Sequence, residues 1–246
     1  MIHIFQNLEK LSQAAAETFV NLADQAVRAR GRFSVALSGG GTPRRMYELL
    51  ASNPLRGRVR WSAVHVFWGD ERCVPAEDPR SNARMARQAL LDHVPLPAGN
   101  IHPISGELPP TQAAARYETI LRKFFEGGEP VFDLILLGLG ENAHTASLFP
   151  HTPVLQESQR WAAEVYIASQ EMYRVTLTAP LINRARKVLF LVSGAGKAEA
   201  LQHVLEGAFQ PNDFPAQLIR PNGVHATWLV DKAASHKLAE EIMEAA

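Results

Sequence analysis

The chain has 246 residues, 46% of them hydrophobic, with 25 basic and 25 acidic side chains and a formal net charge of zero. That is ample material for one large core, while the lack of a basic excess argues against a general nucleic-acid binder and leaves any anion to be held locally. A single cysteine, Cys73, excludes an intrachain disulfide framework and fits a reducing compartment.

In chain order, the opening MIHIFQNLEKLSQ lacks a basic leader followed by a long apolar stretch. No apolar run approaches the ~18 residues of a membrane span, so a soluble, cytoplasmic protein is expected. Residues 8–30 have the periodicity of an amphipathic helix, stopped by Gly31. FSVAL (33–37) is a short apolar strand, and SGGGTPRRMYELLA after it takes on helix character from Pro43. AVHVFW (63–68) is a second strand and leads into GDERCVP; residues 81–91 and 112–126 are helical. VFDLILLGLG carries a third strand, RVTLT (within 173–178) a fourth, and KVLFLVSG (187–194) a fifth. A helix over 197–206, a strand at HATWLV and a terminal helix over 232–244 complete the pattern. There is no linker, low-complexity tract or internal repeat, so residues 1–246 are expected to form one domain.

Alternating helices and nearly continuously apolar strands predict a doubly wound α/β fold, its mainly parallel sheet covered by helices on both faces. Ligands in such sheets sit beyond the carboxyl ends of the strands. Four polar, glycine-rich segments fall at such ends: SGGGTP, GDER, GLGENAH and SGAGK. In SGGGTPRR the glycines let backbone N–H groups turn toward a ligand, Ser38 and Thr42 add hydroxyls, and Pro43 opens a helix whose N-terminal end favours anions. The segment reads as a phosphate cradle, with a charge from Arg44 or Arg45; it is not a Walker loop, since the GK[ST] lysine is missing. The bland alternative is a plain strand-to-helix turn. GDER places Asp70, Glu71 and Arg72 directly after a strand, an acid and an arginine facing the same crevice, with Ser81 and Asn82 folding back onto it, or else it is a solvated charged turn. Lys197 is either a second phosphate cation or a solvated lysine.

GLGENAHTASLFPHTP admits four readings. Gly138, Gly140 and Ala143 fit a dinucleotide fingerprint, but Pro150 and Pro153 cut short the helix it requires. Ser147 as nucleophile lacks the G-x-S-x-G elbow. His144 and His151 are seven residues apart with a proline between them, which is poor metal-ligand spacing, and no metal is expected. A general acid–base histidine at 144 fits best, because an unperturbed imidazole titrates near pH ~6.5.

At these residues the chain resembles the 6-phosphogluconolactonase family, nearly from end to end. ALSGGGTPRRMYELL is similar to the family's phosphate loop, FWGDERCVP with Ser81 and Asn82 to its DER segment, and HTASLFP (144–150) to a family signature. RVTLTAPLINRARKVLFLVSGAGKAEAL resembles the segment that follows. The resemblance implies a sugar-phosphate-isomerase-type fold and cofactor-free hydrolysis of 6-phospho-D-glucono-1,5-lactone in the oxidative pentose phosphate route. The expected catalytic residues are His144, Asp70 and Asn142. Substrate binding is expected from Ser38, Gly39, Gly40, Gly41, Thr42, Arg44, Arg72 and Lys197, with backbone N–H groups of residues 138–144 around the oxyanion. The expected partner is a small sugar phosphate, with neither nucleic acid nor membrane, and the expected state is a monomer or weak homodimer. One departure stands out: the family usually reads G-x-G-x-D-G-H, but Asn142 and Ala143 precede His144 here. An amide orients a ring without supplying charge, and alanine implies a position that needs no positive φ. Glucosamine-6-phosphate deaminases share the fold but usually follow their histidine with IAFNE; TASLF here lacks that glutamate. A non-catalytic sugar-phosphate sensor usually carries a helix-turn-helix domain, for which the single helix before residue 33 leaves no room.

Overall fold

The computed structural model describes residues 1–126, 128–223 and 226–239. Its elements in chain order are β1 (Ile2–Phe5), α1 (Leu8–Arg30), β2 (Phe33–Leu37), α2 (Gly41–Ala51), the short α3 (Leu55–Arg58), β3 (Val64–Trp68), β4 (Asp70–Arg72), α4 (Asn82–Ala89), α5 (Pro110–Phe124), β5 (Leu134–Gly138), β6 (Ala162–Ile167), β7 (Met172–Leu177), the short α6 (Ala179–Ile182), β8 (Val188–Val192), α7 (Ala198–Leu205), β9 (Thr227–Asp231) and α8 (Lys232–Ser235). Local chemistry sets several of these boundaries. The Asn7 side chain accepts a hydrogen bond from Lys10 N (3.0 Å) to start α1, and Gly31, at φ 75°, ends it in the left-handed region open to glycine. Ser81 caps α4 by accepting from Arg84 N at 3.1 Å.

One all-parallel sheet runs in the spatial order β1-β9-β8-β5-β2-β3. Strands β2, β8 and β9 are buried along their whole length, as strands covered on both faces must be. The winding reverses between β2 and β5: β3 continues on one side, β8 and β9 on the other. The crevice at that reversal point receives the loops leaving β2 and β5 together. Two buried tyrosines pin the carboxyl ends of neighbouring strands. Tyr47 Oη accepts from Ser38 N (3.0 Å) and donates to Ser38 O (2.9 Å), and Tyr117 Oη does the same at Trp68 N (2.9 Å) and Trp68 O (2.8 Å).

The structure departs from the sequence reading in five places. Ile2–Phe5, too short and half-polar to register as a strand, forms an edge of the parallel sheet. GDER is not a loop: Asp70–Arg72 pairs antiparallel with β7, and β7 with β6, in a second three-stranded sheet. The RVTLT strand therefore lies outside the parallel sheet, and Ala162–Ile167 was not apparent as its partner. The α2 helix begins two residues before Pro43, at Gly41. The terminal helix stops at Ser235, and residues 240–244 of the expected span lie outside the described residues, as does His225 of HATWLV. Among the described residues no helix is long and apolar enough to cross a membrane.

Candidate active site

The loops after β2 and β5 meet β4, α4, β7 and the turn after β8 around a cavity of about 180 Å3. Of the sequence-predicted residues, Ser38, Gly39, Gly40, Asp70, Arg72, His144 and Lys197 line it. Gly41, Thr42, Arg44 and Asn142 do not. Gly41 and Thr42 lie in the first turn of α2. Arg44 points along the exposed face of that helix to Glu48, with Nε 3.2 Å from a carboxylate oxygen, and Arg45 turns to Glu9 at 2.7 Å. Carboxylates on the helix surface and on α1 thus hold both guanidiniums outside the cavity.

His144 is held from three sides. Asn142 Oδ1 accepts from the ring Nδ1 at 2.5 Å and from the His144 backbone N–H at 3.3 Å. With Oδ1 receiving both donors, Nδ1 carries the proton and Nε2 keeps its lone pair. The ring stacks on Phe149, centroids 3.8 Å apart and planes 12° from parallel. Gly140 leaves the ring room, since a methyl group there would lie 2.0 Å from Nδ1. Burial pushes the imidazole down to about 4; Asp70 works in the opposite direction, and Arg174, Lys197 and Arg72 deepen the shift. The histidine is therefore neutral at physiological pH, as a proton acceptor must be.

The turn carrying it is bent by closure. Gly140 N–H donates to His144 O (2.8 Å), Ala143 N–H to Gly140 O (3.0 Å), and Ala216 N–H to Ala143 O (3.0 Å). To make these bonds Ala143 adopts φ 59°, and Ala146 follows at φ 47°. The alanine at 143 thus occupies the left-handed conformation, contrary to what its side chain implies: tertiary hydrogen bonds impose it at a local cost. These bonds engage the N–H groups of Gly140 and Ala143, and Asn142 Oδ1 engages that of His144, so those amides are not open to an oxyanion.

Asp70 does not touch His144. Its carboxylate accepts from Ser147 Oγ (2.6 Å), Asn82 Nδ2 (3.2 Å) and Arg174 Nη1 (3.4 Å). Ser147 is fully buried and donates to that carboxylate, which leaves it no nucleophilic role. Gly39 is needed where Asn82 approaches, because a methyl group there would lie 1.9 Å from its Oδ1. His151 sits apart, 3.2 Å from Asp213, and no group of three metal-ligating side chains occurs among the described residues. Lys197 Nζ lies 3.9 Å from Glu141 across the mouth.

Arg174 was not singled out from the sequence. It comes from β7, its side chain is 7% exposed, and its Nε–H is buried without a partner; Arg72 Nε is in the same state. Two buried, unpartnered guanidinium donors beside one cavity suit an anionic or carbonyl oxygen. The available signal was an arginine in an otherwise apolar and threonine-rich strand, but only the pairing of β7 with β4 brings it to the crevice.

The family model for glucosamine-6-phosphate isomerases/6-phosphogluconolactonase matches residues 6–228. A 6-phosphogluconolactonase of Synechocystis sp. is 43% identical over 242 residues, covering 96% of this chain and 98% of that protein. One from Mycobacterium tuberculosis is 39% identical over 249 residues, with 96% and 98% covered. Among solved structures, 6-phosphogluconolactonase from Trypanosoma cruzi superposes with a TM-score of 0.85 at 30% identity, covering 97% of this chain and 96% of the other. A monomeric glucosamine-6-phosphate deaminase superposes with a TM-score of 0.80 at 23% identity, covering 96% and 99%, which speaks to the fold alone.

Proposed function

The chain belongs to the glucosamine-6-phosphate isomerase/6-phosphogluconolactonase family, and on that premise we propose that it hydrolyses 6-phospho-D-glucono-1,5-lactone to 6-phospho-D-gluconate in the oxidative pentose phosphate route, with His144 as general base. The observation that carries this is the neutral imidazole with its Nε2 lone pair free, set by Asn142 and Phe149 in a cavity rimmed by cations. A lactone is already an activated ester, so no covalent nucleophile is required. Water attacks the carbonyl carbon as His144 Nε2 takes its proton. The tetrahedral intermediate then collapses, the bond from carbon to ring oxygen breaks, and the imidazolium returns the proton to that oxygen. Water is the only co-reactant, and the reaction needs no cofactor or metal.

The substrate phosphate lies against Ser38, Gly39 and Gly40 with Lys197, remote from the reacting carbon, and holds the ring in register. The buried Nε–H groups of Arg72 and Arg174 are the donors available to the phosphate and the developing oxyanion. Asp70 acts as a positioning group that fixes Arg174 and Asn82. Arg44, Gly41 and Thr42 have no direct part in this arrangement.

The deaminase reading is disfavoured because Thr145, Ala146, Ser147, Leu148 and Phe149 bring no carboxylate after the histidine. The test is a rapid assay of freshly made lactone, with glucosamine 6-phosphate as control. General acid–base catalysis typically contributes about 10²–10⁴-fold, so His144→Ala is expected to lower kcat at least about a hundredfold while 6-phosphogluconate still binds. Near-normal turnover by the variant rejects the role of His144, and deamination of the control rejects the substrate.

A further inference from the structure

Side chains alternate along β4, so Glu71 faces away from the crevice that Asp70 and Arg72 line. On its side lies a second, larger cavity of about 540 Å3, within the size range of small-molecule sites. Val74, Ile104 and Leu108 give it an apolar wall, and Arg84 and Arg87 of α4 and Arg116 of α5 project to it. Four carboxylates also line it, Glu71, Glu77, Asp92 and Glu107, and two of them are engaged by neighbouring donors. Glu71 accepts from Arg72 N, Asn82 N, Ala83 N and Ser81 Oγ at 2.7–3.0 Å, and Glu107 accepts from Ala76 N at 3.1 Å.

The arginines, by contrast, are short of partners. Arg84 Nε is shut off from water without a hydrogen bond; its nearest carboxylate, Glu77, is 3.9 Å away and itself 94% exposed. Arg87 approaches Asp92 only to 3.7 Å. Arg116 is exposed at the cavity, with no hydrogen-bond or ion-pair partner among the described residues. Guanidinium forks match the oxygens of a phosphate two at a time, and the apolar wall suits the organic part of such a molecule.

We propose that this cavity is a second binding site, for a small phosphorylated organic molecule anchored by Arg84 and Arg116, and that it communicates with the catalytic pocket through Glu71. The connection is short. One Glu71 oxygen accepts the backbone N–H groups of both Arg72 and Asn82, and those two side chains line the catalytic pocket. A ligand that draws Arg84 toward itself shifts the first turn of α4, which carries Asn82. Binding at either site then changes affinity at the other by the same factor.

Titration calorimetry with adenosine 5′-diphosphate and with inorganic pyrophosphate tests the site, on the unaltered chain and on Arg116→Ala, Arg84→Ala, Arg84→Lys and Lys197→Ala. The expected result is one equivalent of adenosine 5′-diphosphate bound by the unaltered chain and by Lys197→Ala. Arg116→Ala is expected to weaken this at least about tenfold, the scale of losing a charge-assisted hydrogen bond, with an unchanged melting transition and basal lactone turnover. Arg84→Ala should do the same and Arg84→Lys should retain part of the affinity. Adenosine 5′-diphosphate is expected to change KM for the lactone in the unaltered chain but not in Arg116→Ala. Absence of binding up to about 10 mM ligand overturns the proposal. So does binding abolished by Lys197→Ala but untouched by Arg116→Ala, which places the phosphate in the catalytic pocket. Binding at Arg116 with an unchanged KM overturns the communication through Glu71.

Discussion

Asn142→Asp puts a carboxylate where an amide now meets the ring of His144. The contact is a 2.5 Å hydrogen bond from Nδ1, and burial has already driven the imidazole down to about 4. An opposite charge at such range favours the protonated ring and raises its pKa by about 1–3 units, each worth about 1.36 kcal/mol. The sign follows directly. The proposed general base works as neutral imidazole, so the unaltered enzyme is expected to hold its kcat/KM down to about pH 5 and to lose it only as pH falls through about 4. In Asn142→Asp the acid limb moves up to between about pH 5 and 7. At pH 5 a base raised by about 2 units is roughly 90% protonated, so kcat/KM falls about tenfold below its own plateau. On the plateau the stronger base is expected to raise kcat. The assay is kcat/KM for fresh lactone from pH 4 to 8, both proteins in the same buffers. An acid limb displaced by less than about half a unit would show that residue 142 does not set the protonation of His144, and the proposed base assignment would lose its support.

Ala143→Gly relieves a left-handed alanine, a conformation costing roughly 1–2 kcal/mol that glycine avoids, less its greater freedom in the unfolded chain. The net expectation is stabilisation by about 0.5–1 kcal/mol, read as a higher urea midpoint at unchanged slope; a lower midpoint refutes the strain. Arg44→Ala is expected to leave KM unchanged, because that guanidinium is paired with Glu48 outside the cavity, whereas Lys197→Ala raises KM at least about tenfold. The reverse ordering would move the phosphate to the other end of the glycine loop.

Much of the site was legible because its parts are local. SGGGTP, GDER and GLGENAH each follow an apolar strand, and a parallel sheet delivers strand ends to one edge. Ser38, Asp70, Arg72, His144 and Lys197 could be placed together on that rule alone. The rule has no resolution beyond the strand end. It included Arg44, which the turn of α2 carries away from the pocket, and it passed over Arg174, which reaches the pocket from an antiparallel strand 104 residues from Asp70. The conformation of Ala143 was read from its side chain, but hydrogen bonds to Gly140 and Ala216 decide it.

Sequence alone determined the class of fold, most of the succession of elements and the placement of His144 just beyond a strand, since periodicity, caps and glycine placement act within a few residues along the chain. Tertiary structure decided the second sheet, the arginine Nε–H groups left without hydrogen bonds on both sides of β4, and the tautomer and neutrality of His144. Those depend on burial and on contacts between distant segments, which have no value until the chain closes and water is excluded.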